Sequence, residues 1–183
     1  METVNAQQIV DFWYSDRVRP LWFNSTAAFD EELRQDYFGL YQDARDGRLK
    51  NWEDSAIGSL ALAIILDQFP LNMFRGQAES FATESEAVRI AHHAVELNFD
   101  QQLEQQYRVF LYMPFMHSEN MIHQDLAVEL FEKAGLENNL KFAIHHREIV
   151  RRFGRFPHRN AILGRESTEQ EQAYLASDAA FHG

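Results

Sequence analysis

The residues best suited to ligand chemistry are concentrated between Arg151 and Arg165. This segment, R-R-F-G-R-F-P-H-R-N-A-I-L-G-R, contains five arginines, one histidine, one proline and two glycines in 15 residues. Guanidinium groups bind carboxylates and phosphates through paired hydrogen bonds. The amides after Pro157 are expected to begin a short helix whose N-terminus, beside His158 and Arg159, suits an anion. The segment lacks the glycines of a phosphate-binding loop, so the pattern indicates an anion site without naming the anion.

The same arginines are equally compatible with a structural network of ion pairs. From Ala143 to Arg165 there are six arginines and one acid, Glu148, which gives this region a charge of about +5. The whole chain has a net charge of −11, so the remainder carries about −16. Carboxylates from that remainder can pair with the arginines as readily as a ligand can. Composition leaves both interpretations open.

Further polar residues lie next to prolines that recur at a nearly constant interval. Pro70, Pro114 and Pro157 are 44 and 43 residues apart, and each follows the end of an apolar segment. Proline disfavours helix in the residue before it, so we expect each proline to end one helix and open another. Two-helix repeats of this length stack so that equivalent corners share an edge. We therefore predict that the three corners converge in one polar pocket.

The predicted pocket residues fall into three groups. The first corner (67–75) contributes Asp67, Gln68, Asn72 and Arg75, the second (117–119) His117, Ser118 and Glu119, and the third (155–160) Arg155, His158, Arg159 and Asn160. The predicted anion contacts are Arg155, His158 and Arg159. Asp67, His117 and Glu119 are the candidate orienting or acid–base groups, because a carboxylate beside histidine and arginine in a cleft often has a shifted pKa.

Two other kinds of site are considered and not adopted. Glu119 and His123 are four residues apart on one helix, a spacing that can supply two metal ligands, which Asp67 or His146 could complete. No metalloprotease-type motif accompanies them, so we expect no metal and no cofactor. Ser118 lacks the G-x-S-x-G motif of a nucleophilic serine, and we interpret it as a helix cap.

Composition restricts the class of protein. The 183 residues suit one domain, residues 1–183, and the absence of cysteine excludes disulfides, cysteine nucleophiles and thiolate metal sites. The N-terminus has no secretory signal pattern, and the longest purely apolar run, Leu60–Leu66, is too short to span a membrane. The acidic net charge opposes nucleic-acid binding. We expect a cytoplasmic protein that contacts neither nucleic acid nor membrane.

Helical periodicity covers the chain, and no segment is typical of a strand. The first helix is predicted to start after Asn5, and the second to run from Ser25 or Thr26 to Gly47. The next helices are predicted over Ala56–Phe69, from a capping box at Thr83, and over Gln101–Met113. The last three are predicted from Ser118 to Gly135, over Leu136–Phe153, and after Ser167. The predicted fold class is all-α, with antiparallel helix pairs stacked as a tetratricopeptide-like, right-handed array in a single domain.

Three segments resemble the signature blocks of the bacterial family called domain of unknown function 924. They are L-D-Q-F-P-L-N-M-F-R-G (66–76), Y-M-P-F-M-H-S-E-N (112–120) and R-F-G-R-F-P-H-R-N-A-I-L-G-R-E-S-T-E-Q-E (152–171). The resemblance implies a helical, tetratricopeptide-like fold and a cytosolic protein, and it supplies no activity to transfer. Leu71 and Met116 depart from the family pattern, which has arginine and glutamate there.

Three functional hypotheses follow. The leading one is that the polar pocket binds a small anionic molecule or an acidic peptide terminus. The first alternative is a protein-interaction scaffold, because tetratricopeptide-like arrays bind peptides in a groove. The second is a hydrolase-type enzyme that uses His117, Glu119 and His158. Whether the protein is an enzyme, and its oligomeric state, are left open.

Overall fold

The computed structural model describes residues 4–182, and in that range the chain consists of helices, turns and loops without a strand. The predicted all-α class is therefore confirmed. The α-helices are α1 (Ala6–Trp13), α2 (Ala27–Arg45), α3 (Ala56–Ala63), α4 (Phe69–Met73), α5 (Glu84–Glu96), α6 (Gln105–His117), α7 (Met121–Lys133), α8 (Glu137–Phe153) and α9 (Glu169–Leu175).

A π-turn joins α3 to α4, so the helix continues through Pro70. The predicted break at this proline is wrong. In the π-turn (Ile64–Gln68) the Phe69 N–H bonds to the Ile64 carbonyl, five residues earlier. Proline has no N–H to offer the Leu66 carbonyl four residues before it. The Thr83 hydroxyl donates to that carbonyl instead, at 2.6 Å.

Pro114 also lies inside a helix, α6, so the second predicted break is wrong as well. Only the third corner behaves as expected: α8 ends at Gly154, whose φ of 72° is left-handed, and Pro157 opens a 3₁₀ turn (Pro157–Arg159). The regular proline spacing therefore does not mark three equivalent helix ends.

Several helix starts follow the expected capping chemistry and two do not. Asn5 forms a capping box with Gln8 at the start of α1, as predicted. Helix α5 begins after Thr83 as predicted, but without the capping box, because the Thr83 hydroxyl is engaged by the π-turn. Ser118 does not cap α7; the Asn120 side chain accepts from the Ile122 N–H instead.

Helix α3 lies at the centre and packs against α1, α5 and α6. The continuous segment Ala56–Met73 has 18 residues and is long and apolar enough to cross a membrane, but 89% of it is buried inside the fold, as expected of a core helix. Gly58 is required here, because a Cβ atom would lie 2.0 Å from the Trp52 carbonyl oxygen.

Helices α5, α6, α7 and α8 pack against one another in chain order. A second, smaller apolar cluster forms beside α8 from Ile149, Val150, Phe156 and Tyr174. Ala180 and Phe181, after the last helix, pack onto it. This cluster positions the third corner, while the tetratricopeptide-like arrangement stays a prediction.

Candidate functional site

The three corners come together at His117, the last residue of α6. Its Nδ1 atom lies 2.9 Å from both carboxylate oxygens of Asp67, in the π-turn of the first corner. Arg159 of the third corner donates from Nη2 to the His117 carbonyl oxygen at 2.8 Å. One residue from each corner therefore takes part in a continuous set of contacts.

The His117–Asp67 pair has the geometry that orients an imidazole for proton transfer. The Asp67 side chain is 4% exposed, and the His117 side chain is 17% exposed. Gln68 Nε2 donates to Asp67 Oδ2 at 2.5 Å and helps to fix the carboxylate. A carboxylate accepts hydrogen bonds, so the Nδ1–H group of His117 donates to Asp67, and Nε2 is the ring nitrogen left for another partner.

Arg159 is buried between two aromatic rings and connects His117 to a second carboxylate. Its guanidinium carbon lies 4.4 Å from the Phe81 ring centre and 4.7 Å from that of Phe156. Nη1 donates to Glu84 Oε2 at 2.7 Å. Burial raises the pKa of Glu84 above its usual value, and Arg159 acts against that shift. The positive charge of Arg159 therefore stabilises the ionised form of Glu84, which burial disfavours.

Glu119 is held by Arg165 and by a backbone amide. Arg165 donates to its two carboxylate oxygens at 2.7 and 2.9 Å, and the Phe156 N–H donates at 2.7 Å. Burial acts to raise the pKa of Glu119, but these hydrogen bonds outweigh it and the pKa is lowered. Asn160 Oδ1 accepts from Arg165 Nε at 3.0 Å. Glu119 and Asn160 thus support the second and third corners through Arg165.

The metal-ligand combination considered from the sequence is not assembled. His123 Nδ1 lies 2.8 Å from Ser118 Oγ, while the Glu119 carboxylate is taken up by Arg165. Within residues 4–182, no group of three or more histidine, aspartate or glutamate side chains is arranged to hold a metal ion.

Arg155 is separate from the His117 contacts. It forms a double hydrogen bond with the buried Glu171 at 2.7 and 2.8 Å, and this bond lowers the pKa of Glu171 to about 2. Arg155 also borders an open depression of about 360 Å³, together with Arg152 and Thr168. Arg152 stacks on the Phe153 ring at 4.7 Å.

Two residues of the first corner extend away from His117. Arg75 pairs with Asp30 of α2 at 2.7 Å, and its Nη2 donates to Asn72 Oδ1 at 3.1 Å. Asn72 Nδ2 donates to the Gln68 carbonyl at 2.9 Å. Their contacts tie α4 to α2.

His158 belongs to an aromatic group of histidines and phenylalanines. Its ring lies 5.6 Å from Phe156 and 5.0 Å from Phe181, measured between ring centres. Burial lowers the pKa of His158 to about 4 and that of the neighbouring His146 to about 3. The His158 Nδ1 atom is buried and has no hydrogen-bond partner among the described residues. His158 is therefore neutral near pH 7, so it does not supply the positive charge expected of an anion contact.

Sequence reasoning missed Glu84 and Arg165 as members of this site. Glu84 belongs to a segment that matched a capping box, so its carboxylate was interpreted as part of a helix start and not as part of a site. Arg165 lies in the arginine-rich segment but beyond the third corner. The available signal was the charge imbalance, since each arginine there needed a carboxylate partner.

The sequence model of the family "Bacterial protein of unknown function (DUF924)" matches residues 9–179. The chain belongs to this family. The solved structure of a protein of unknown function, ATU0120, from Agrobacterium tumefaciens is 42% identical to this chain, with a TM-score of 0.89. The match covers 93% of this chain and 96% of that one. No curated protein matches the chain. The comparisons establish the DUF924 family and its fold, and they supply no reaction.

Proposed function

We propose that the contacts around His117 form an acid–base site that acts on a small polar molecule, as in a hydrolase-type enzyme. The observation that carries the proposal is the 2.9 Å contact of His117 Nδ1 with a carboxylate that is almost fully buried. A buried aspartate that binds one imidazole nitrogen leaves the other available as a general base.

The pairing of the arginines favours this proposal over direct anion binding at the same place. Arg159 and Arg165 are each bound to a carboxylate, Glu84 and Glu119 respectively, at 2.7 Å. Their charges are compensated before any ligand arrives. In this proposal Asp67 orients His117, and Arg159, paired with Glu84, holds the His117 main chain in place.

Hydrolysis of p-nitrophenyl acetate and p-nitrophenyl phosphate tests the proposal. We expect His117→Ala and Asp67→Asn to lower the rate of at least one reaction by about 10²–10⁴-fold, the usual contribution of general base catalysis. His93→Ala is the matched control for unspecific hydrolysis by a protein imidazole, because His93 packs against Phe99 and lies outside the site. Equal rates for wild type and His117→Ala with both probes would contradict the proposal.

A second candidate function is binding of a small anion or an acidic peptide terminus in the depression beside Arg155. The open volume of about 360 Å³ and Arg152 at its edge favour this position, because Arg152, unlike Arg155, has no carboxylate partner among the described residues. Titration with inorganic phosphate and with acetate, followed by calorimetry, is the test. We expect Arg152→Ala to lower the affinity at least tenfold, and unchanged binding would exclude this position.

A further inference from the structure

The segment after α9 ends on the small apolar cluster through one aromatic side chain. Phe181 and Ala180 are partly buried against Ile149, Val150, Phe156 and Tyr174, which form a cluster separate from the main core. The Phe181 ring thus covers an apolar surface that the helices themselves leave open.

Three imidazole rings surround Phe181. The distances between ring centres are 4.6 Å to His146, 5.0 Å to His158 and 6.3 Å to His145, and all three pairs are edge-to-face. Edge-to-face packing of this kind selects an aromatic ring over an aliphatic side chain of equal size. The arrangement is a cage for one aromatic side chain.

The backbone beside that ring is recognised as well. The Phe181 N–H donates to the Tyr174 hydroxyl at 2.9 Å, and the Ala180 N–H donates to the Ser177 carbonyl at 3.1 Å. In the first of these bonds the main chain of the segment donates to a side chain of α9. A contact of this kind recognises a peptide rather than a free aromatic molecule.

The segment does not satisfy every polar group of the cage. The buried His158 Nδ1 has no hydrogen-bond partner among residues 4–182. An unpaired buried group of this kind costs stability that a ligand with a matching donor or acceptor recovers. The protein's own segment is therefore an incomplete match for the surface it covers.

We propose that the cage of His145, His146, His158 and Tyr174 is a binding site for a peptide segment that carries an aromatic residue, and that Phe181 occupies it in cis. The site takes the aromatic side chain between the imidazoles and the adjacent main-chain N–H on the Tyr174 hydroxyl. The protein's own segment competes with a partner peptide because it is present at the high effective concentration of a tethered ligand.

The probe for this proposal is a fluorescein-labelled peptide with the sequence of residues 176–183, A-S-D-A-A-F-H-G. Its affinity is measured by fluorescence anisotropy for the full chain and for Phe181→Ala, which empties the cage. We expect Phe181→Ala to bind the peptide at least tenfold more tightly than wild type. A second peptide with alanine in place of phenylalanine should not bind either protein.

Phe23→Ala is the matched control, because Phe23 is 73% exposed and stacks on Phe110, a buried ring of the main core. It should bind the peptide no better than wild type. Equal affinity of Phe181→Ala and wild type, or equal binding of the two peptides, would overturn the proposal. Nuclear magnetic resonance of wild type gives an independent readout: the Phe181 ring signals should shift as excess phenylalanine peptide displaces that ring from the cage, and they should stay unchanged with the alanine peptide. Failure of the ring signals to distinguish the two peptides would overturn the proposal even if Phe181→Ala did not fold.

Discussion

Replacing Arg159 with methionine separates a structural role of the arginine-rich segment from a ligand-binding one. Methionine keeps most of the apolar length but removes the guanidinium group, which is bonded to Glu84 and to the His117 carbonyl. It also removes the cation that lies between the Phe81 and Phe156 rings. The substitution therefore leaves a mostly buried carboxylate and a carbonyl without their partner.

The expected cost follows from burial. Removing one partner of a fully buried ion pair costs about 3–5 kcal/mol, mainly because the other charge stays unpaired. The Arg159 side chain is 7% exposed but that of Glu84 is 23% exposed, which reduces the penalty. We expect Arg159→Met to lower the free energy of unfolding by about 2–3 kcal/mol. For a protein of this length that is a fall in melting temperature of about 4–12 °C.

A double-mutant cycle tests the cause of that loss. In Arg159→Met/Glu84→Gln the unpaired charge is gone, so the combined cost should be smaller than the sum of the single costs by about 1–2 kcal/mol. Urea unfolding followed by circular dichroism supplies all four free energies. The control is Arg75→Met, which should cost less than about 1 kcal/mol, because the Arg75 side chain is 59% exposed and Ser25 also donates to Asp30. Additive single costs, or an Arg159→Met cost no larger than that of the control, would refute the reasoning and favour a ligand-binding role for Arg159.

Three further predictions concern stability. Thr83→Val should cost about 1–3 kcal/mol in urea unfolding, because it leaves the Leu66 carbonyl unpaired, whereas Thr83→Ser should be nearly neutral. Native His146 has a pKa of about 3 against the ordinary 6.5, so the native state binds fewer protons between those values and stability falls as the pH drops. His146→Gln should remove a slope of about 1.4 kcal/mol per pH unit between about pH 4 and pH 6, and an unchanged slope in urea unfolding would contradict this. Gly58→Ala should strongly lower the melting temperature because its Cβ has no room, while Gly39→Ala, with nothing within 4 Å, should raise stability by up to about 1 kcal/mol.

The fold class could be predicted from the sequence because helical periodicity and capping residues are local signals. Asn5 and Gly154 mark helix ends where short-range chemistry decides the outcome. Pro70 was misleading for a physical reason. A π-turn and a hydroxyl from another part of the chain supply what Pro70 lacks, and no local pattern reports such a remote donor.

The site was predictable in part. The contact of Asp67 with His117 joins residues 50 positions apart, and the corner hypothesis placed them together although two of its three helix breaks were wrong. The carboxylate partner of each arginine could not be predicted from the sequence, because many carboxylates could pair with Arg159. Phe181 was missed since a single aromatic near the end of a chain carries no periodic signal.

The π-turn at Ile64–Gln68 has a consequence for how this segment tolerates changes in length. A π-turn contains one residue more than the α-helical turn it replaces. Deleting one residue there would remove that extra residue, and it would rotate everything after it by about 100° around the helix axis. Met73 would then leave the core. Asp67 and the residues after it could no longer both keep their present orientation. Substitutions in this segment keep the register of the helix, whereas a one-residue deletion should separate the core packing of Met73 from the contact between Asp67 and His117.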